Sequence, residues 1–408
     1  MNEIRQQFPQ LLENANGQPL TYLDSAATTL KPKVMVDRYA KYLSTEVSNV
    51  HRGAHYFSNQ ATTNYEKTRQ SVASFLNCTD QEIIFTGGTT DSINLVAMSF
   101  DNWLMRSDFR LKNRTQIVLT EMEHHSNIVP WYMLAKKYNL EIKTIPFDKE
   151  GVLDLSNLDE LINDKTLMVS MVHMSNTFGS LNPVETLIQK AKNHGAYTFL
   201  DAAQSVSYMP LDVQSLGCDF LTFSAHKLFG PEGLGLLFGK LEILNQMPEY
   251  RGGGSMISEV SFDKITYLPS PQKFEAGTPN IGAVIAFGES LKFFRKLDYA
   301  EIQKHEAELL NYCYARLSEL KSFKILGAFE HKKNILSFNL EGVHPADMGS
   351  IVDQMGVAIR VGHHCTQPLM AKMDVNSSMR ASFSIYNNLE DCDRFINAIF
   401  KAQEMLNE

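Results

Sequence analysis

Short runs of β-branched and aromatic residues, at 83–85, 116–119, 141–145, 167–172, 197–200 and 220–223, alternate with amphipathic stretches near 92–104, 126–138, 156–163 and 184–194. Strands separated by helical crossovers do not fold back as hairpins. They line up in one direction, so this alternation predicts an α/β domain on a largely parallel sheet. Such sheets gather ligands at the carboxyl ends of their strands. The polar residues that follow each run are therefore the first candidates for chemistry.

The Gly- and Pro-rich stretch from Arg251 to Asn280 breaks the alternation and reads as a loop at a domain boundary. Two helices around 281–319, strands at 333–339, 357–361 and 379–384, and a closing helix near 389–406 predict a smaller α/β domain, into which residues 1–20 fold back. At 408 residues the chain exceeds what one core usually serves, and its 44% hydrophobic content can fill two. A formal net charge of -8 argues against a nucleic-acid-binding body or a polybasic membrane surface. With no apolar run near the length of a membrane span and a polar N-terminus, the expectation is a cytoplasmic protein. Cys78, Cys218, Cys313, Cys365 and Cys392 are odd in number and scattered, which argues against a disulfide framework.

Lys227, in Ser224-Ala225-His226-Lys227, follows a buried strand, where a poorly solvated ammonium loses its proton readily. Taken alone it reads more readily as a surface lysine capping a strand end. Asp201, in Asp201-Ala202-Ala203-Gln204, puts a carboxylate at the same sheet edge, although it could instead cap the next helix. A lysine for a Schiff base with a carboxylate for a pyridinium nitrogen is the pair that pyridoxal phosphate requires. Gly87-Gly88-Thr89-Thr90, between a strand and a helix, offers backbone donors to a phosphate, and Ser224 and His226 can add side-chain donors. Neither a Walker motif nor a dinucleotide fingerprint is present. In Glu123-His124-His125 one histidine can stack on a flat cofactor while its neighbour points away.

Cys365 stands in Arg360-Val361-Gly362-His363-His364-Cys365. Arg360, His363 and His364 would form a positive field that favours a reactive thiolate. Simple burial is the bland alternative, and a zinc site drawing on His124, His125, His363, His364 and Cys365 is another, disfavoured because Cys-x-x-Cys and His-x-x-x-His spacings are missing.

These segments, with Tyr22-Leu23-Asp24-Ser25-Ala26-Ala27, His51-Arg52-Gly53, Ser175-Asn176, Phe274-Glu275-Ala276-Gly277-Thr278-Pro279-Asn280 and Met379-Arg380-Ala381-Ser382, span nearly the whole chain. In that order they resemble the SUF-type, second-group cysteine desulfurases of pyridoxal-phosphate fold-type I, a pattern shared with selenocysteine lyases. The resemblance implies a large cofactor-binding domain over residues 21–280 with a mostly parallel seven-stranded sheet. It also implies a small C-terminal α/β domain over 281–408 carrying the cysteine loop, with residues 1–20 packed on it.

By the same resemblance Lys227 bonds to the cofactor, Asp201 pairs with the pyridine nitrogen, Gln204 meets the ring hydroxyl and His124 stacks on the ring; because an unperturbed imidazole titrates near neutral pH, His124 is also a candidate proton shuttle. Thr90, Ser224 and His226 hold the phosphate, Thr278 reaches the phosphate of a neighbouring subunit in a homodimer, and Arg380 and Asn176 receive the substrate carboxylate with help from Arg360. Cys365, carried on a mobile loop, takes sulfur from L-cysteine as a persulfide and leaves L-alanine. The sulfur then passes to a small acceptor of SufE or SufU type, thiol-only or zinc-bearing, for iron-sulfur cluster assembly. His344 is the candidate to exchange with an acceptor's zinc ligand. Ala202 stands where relatives often have glycine and Asp91 where some have glutamate, and Asp91 is expected near the dimer surface. Selenocysteine lyase, aminotransferase and a sulfur carrier without turnover are the competing readings. No metal is expected.

Overall fold

The structure, a computed structural model, describes residues 2–106, 111 and 113–407. Its large sheet contains β1 (Ile83–Thr86), β2 (Gln116–Thr120), β3 (Glu141–Ile145), β4 (Thr166–Val172), β5 (Tyr197–Asp201), β6 (Phe220–Ser224) and β7 (Gly235–Gly239). The seven run in the order β1-β7-β6-β5-β4-β2-β3. All neighbours are parallel except those of β7, which is antiparallel to both β1 and β6. The link from β6 to β7, residues 225–234, is too short for a helical crossover, so the chain has to return antiparallel. Every residue of β4 and β6 is buried, as expected of strands covered on both faces. The helix Val184–Asn193 covers one face through Val184, Leu187, Ile188 and Ala191, spaced three and four apart.

A second, antiparallel sheet holds β8 (Phe323–Ile325), β9 (Ile335–Leu340), β10 (Arg360–Gly362) and β11 (Ser378–Ser382), in the order β8-β9-β11-β10. It shares a core with the helices Tyr299–Leu317 and Leu389–Asn407 through Leu309, Leu317, Phe338, Met379, Phe395 and Ile399. The helix Ile281–Phe294 instead packs on Lys33–Lys41 and Tyr56–Leu76, putting Val284, Phe287 and Leu291 into the core of the large sheet. The division expected after residue 280 therefore does not coincide with a change of packing partner. Phe8 likewise bridges, with ring centroids 4.7 Å from Tyr386 and 5.8 Å from Phe229, while Arg5 pairs with Asp391 at 2.7 Å.

Within the stretch read as a loop, Ile257–Val260 and Ile265–Tyr267 form an antiparallel hairpin with Phe262 fully exposed near its tip. Flanking Gly and Pro obscured that signal. The helix expected at 156–163 is reduced to one turn, Leu158–Leu161. Among the described residues no helix is long and apolar enough to cross a membrane.

The segment after β4 is tied to the smaller sheet by Lys333 N–H donating to Gly179 O (3.1 Å) and by Lys332 Nζ donating to Phe178 O (3.0 Å) and Leu326 O (2.6 Å). Lys332 is buried, and burial pushes its ammonium down to about 7. An unfolded lysine keeps its proton to about pH 10.4. Between those values the folded chain binds one proton fewer, so stability rises with pH by about 1 kcal/mol per unit. Lys332→Met should flatten the rise, read by urea unfolding at pH 7 and 9. An unchanged slope would show that Lys332 stays protonated on folding.

Candidate active site

The carboxyl ends of β1, β2, β4, β5 and β6 meet β10 and β11 around a cavity of about 230 Å³. Lys227, Asp201, Gln204, His124, Thr90, Ser224, His226, Asn176, Arg360, Cys365 and Arg380 all line it. Thr278 does not; it is exposed and lies outside this cavity.

Asp201 ends β5 and Lys227 ends the single turn Ala225–Lys227 after β6, so adjacent strands deliver both groups. Asp201 is buried, and Oδ1 accepts the Ala203 N–H at 2.9 Å. Burial raises its carboxyl above the usual range, only partly opposed by Ala203 and Lys227. Lys227 Nζ donates to Ala26 O at 2.9 Å, and Gln204 Nε2 donates to the same carbonyl at 2.8 Å. Burial first, then the Arg380 charge, lowers the lysine to about 8, against the pull of Asp201 and Asp24. An amine in that range is available as a nucleophile and base near neutral pH.

The Gly87-Gly88 turn leads into the helix Thr89–Met105, whose first residues Thr89 and Thr90 line the cavity. Ser224 Oγ accepts the Thr89 N–H at 2.8 Å and meets Thr89 Oγ1 at 2.9 Å. Asp91 is committed to this turn, with Oδ2 accepting the Gly87 N–H at 2.8 Å. Gly235 is required beside it, because a Cβ there would lie 2.5 Å from the Gly88 backbone. Burial, with Lys227 and Lys31 nearby, lowers His226 to about 4, so its ring is neutral at neutral pH.

His124 Nδ1 accepts the Ser126 N–H at 3.2 Å and lies 2.8 Å from Ser126 Oγ. Burial and the surrounding Lys227, His125, Arg380 and Arg360 push the ring down to about 3. The near-neutral titration on which a proton-shuttle role rested is therefore not what its surroundings give; His124 stays a neutral ring. Its neighbour is structural. His125 N–H donates to Cys365 O (2.8 Å) and its Nε2 accepts the Gln367 N–H (3.0 Å).

These bonds belong to a latch on the cysteine loop. Asn176 Nδ2 donates to His364 O (2.7 Å), Thr177 and Thr366 join through their hydroxyls (2.8 Å), and His364 Nε2 lies 2.8 Å from Ser378 Oγ. His364 and Cys365 have φ of 52° and 57°, a left-handed pair that costs non-glycine residues about 1 kcal/mol or more each. The latch holds this strained turn in place. His364 also differs from expectation: burial drives it to about 2, so its imidazole adds no positive charge beside Cys365. Arg380 is a buried cation within electrostatic reach of Cys365.

Arg380, from β11, is buried and donates Nη1 to Asn176 O at 2.8 Å and Nη2 to Asp24 Oδ1 at 3.3 Å. Arg380 Nε and Asn176 Oδ1 are buried without partners. Asp24, Ala26, Ser126 and Ser378 went unassigned in the sequence, although Asp24 and Ala26 stand in a segment quoted for the resemblance. None of the histidines or Cys365 of the zinc alternative comes together in a group of three; among the described residues only Glu150, Glu330 and His331 do so. His344 Nδ1 accepts the Ala346 N–H at 3.2 Å and caps the helix Pro345–Gln354.

The donor set fits pyridoxal 5'-phosphate: a buried carboxylate short of a counter-charge, a lysine with a lowered proton affinity, and a glycine turn opening a helix. Residues 21–395 match the family model described as Aminotransferase class-V. The chain is 41% identical to a cysteine desulfurase of Pectobacterium atrosepticum, over 100% of this chain and 98% of that one, and 42% identical to one of Yersinia pseudotuberculosis, over 100% and 99%. Its fold superposes on the cysteine desulfurase CsdA (S-sulfonic acid) of Escherichia coli with a TM-score of 0.90 at 35% identity, covering 99% and 98% of the two chains. On the apo cysteine desulfurase of Thermococcus onnurineus the TM-score is 0.91 at 35% identity, covering 98% of each. A lysine and carboxylate set at a sheet edge, end-to-end matches and a shared fold agree: the chain belongs to the class-V aminotransferase family of fold-type I, pyridoxal-phosphate-dependent enzymes, and within it to the cysteine desulfurases.

Proposed function

We propose that the chain is a SUF-type, second-group cysteine desulfurase that moves sulfur from L-cysteine to Cys365 as a persulfide and releases L-alanine. A small acceptor of SufE or SufU type then carries the sulfur to iron-sulfur cluster assembly in the cytoplasm. The observation that carries this reading is Cys365 on the wall of the cavity that holds Lys227, Asp201 and Arg380. Transamination has no use for a thiol there.

When bound, pyridoxal 5'-phosphate supplies an electron sink that lets the substrate lose its Cα proton and weakens its Cβ–S bond. Lys227 yields its place to the substrate amine and then takes the Cα proton, tasks that suit an amine held near 8. Asp201 holds the protonated ring nitrogen, Gln204 meets the ring hydroxyl, and His124 stacks as a neutral ring. Thr90, Ser224 and His226 bind the phosphate. Thr278, exposed in this chain, reaches the phosphate of a second copy in a homodimer with shared sites. Arg380 grips the substrate carboxylate through its planar fork, with Asn176 and Arg360 assisting. Cys365 Sγ attacks the substrate sulfur, so an S–S bond forms as Cβ–S breaks, and the Cβ electron pair takes up a proton to become the methyl group of L-alanine.

L-alanine formation from L-cysteine, measured alone and with a thiol-only or a zinc-bearing acceptor, tests the reading. One acceptor should accelerate turnover several-fold, and His344→Ala should blunt the effect if that acceptor carries zinc. Keto acid in place of L-alanine would return the protein to the aminotransferases. Activity confined to selenocysteine would make it a lyase.

A further inference from the structure

β10 and β11 are antiparallel neighbours, and their register sets Arg360 directly opposite Arg380. Like charges facing each other across a strand pair repel. Here one guanidinium is only 2% exposed, so solvent screens it poorly. The carboxylate of Asp24 lies between them, Oδ1 at 3.3 Å from Arg380 Nη2 and Oδ2 at 3.9 Å from Arg360 Nη1.

Backbone pairing, more than the ion pairs, puts Asp24 there. Thr21–Tyr22 runs parallel to Val357–Ala358, Asp24 bridges to Ser382 on the strand that carries Arg380, and Ser382 Oγ accepts the Ala26 N–H at 2.8 Å. Both contacts are longer than the roughly 2.7–2.9 Å of a well-aligned guanidinium–carboxylate fork. Asp24 thus supplies charge without taking up the arginine's two-point grip, and Arg380 Nε remains unpartnered.

We propose that Asp24 is a built-in counter-ion of the carboxylate subsite: it offsets one of the two arginine charges, leaving attraction for a single further carboxylate and limiting how tightly free anions and product are held. This rests on the reading of Arg380 as the receptor of the substrate carboxylate. Asp24 is a positioning and selectivity residue and takes no part in bond making.

The test uses the cofactor-loaded enzyme and propionate, a carboxylate without an amine, as a competitive inhibitor. Asp24→Asn, close in shape but uncharged, should lower the propionate inhibition constant about fivefold, the size of one half-buried charge interaction. The gain should shrink as ionic strength rises, and KM for L-cysteine should fall without a rise in kcat. Spectral titration with L-alanine should show the product bound more tightly. Asp24→Ser must move both constants the same way, and Asp24→Glu should restore values near the wild type. Unchanged or weaker propionate inhibition in Asp24→Asn and Asp24→Ser would overturn the proposal, since a residue that merely props Arg380 would loosen the grip on removal. The underlying reading fails separately, if Arg380→Lys leaves propionate inhibition untouched.

Discussion

Lys227→Ala is expected to leave the protein without a covalently held cofactor and to lower cysteine turnover by a factor on the order of 10³ or more. The lysine has two tasks that no neighbour can take over. His124 and His226, which line the same cavity, are lowered first by burial, a cause that the substitution leaves in place and that keeps both weak bases. Lys31 donates to Thr29 O at 2.8 Å and pairs with Glu232 at 3.3 Å, so it is engaged elsewhere. The wild-type protein with pyridoxal 5'-phosphate should absorb in the visible range and lose that band on borohydride reduction, with the label recovered on Lys227. A borohydride-fixed label on another lysine of the wild-type protein would refute the assignment.

Cys365→Ala should abolish detectable persulfide and cut sulfur transfer to an acceptor at least about a hundredfold, while L-cysteine still perturbs the cofactor spectrum. The remaining thiols are poor substitutes. Burial pushes Cys78 and Cys218 up to about 12 and raises Cys313 well above the usual thiol range, and Cys392 is buried against Leu309. A thiol held in its protonated form is neither a nucleophile nor a sulfur carrier. Trapping the persulfide with an alkylating reagent and locating it by mass spectrometry checks the claim. Finding it on Cys78 would move the nucleophile to the far side of the large core.

Much of the site was legible because strand-end residues inherit their position from the strand. Once 197–200 and 220–223 read as adjacent parallel strands, Asp201 and Lys227 had to emerge at one sheet edge, and β5 and β6 place them there. The hairpin at 257–267 was not legible, since three or four β-branched residues among Gly and Pro carry little periodicity. Nor was the allegiance of the helix Ile281–Phe294. Its sequence is apolar on nearly every side, which announces burial and leaves the burying partner open.

Charge states were the least legible part of all. His124 and His364 each look like titrating groups when only neighbours in sequence are counted, yet desolvation by residues distant in the chain makes both neutral. The same distance in sequence hides Asp24 from Arg360 and Arg380, more than 330 positions away, until β10 and β11 bring the arginines opposite each other and the N-terminal strand pairs alongside. The sequence by itself determined the alternating α/β architecture, the sheet edge as the reactive place, and the lysine, carboxylate and cysteine with the chemistry to work there. Those follow from local periodicity and side-chain type. Only the tertiary structure decided which groups are charged, which backbone bonds pin Cys365 in its strained turn, and which carboxylate faces the arginine pair, because burial and long-range register exist only once the chain has folded.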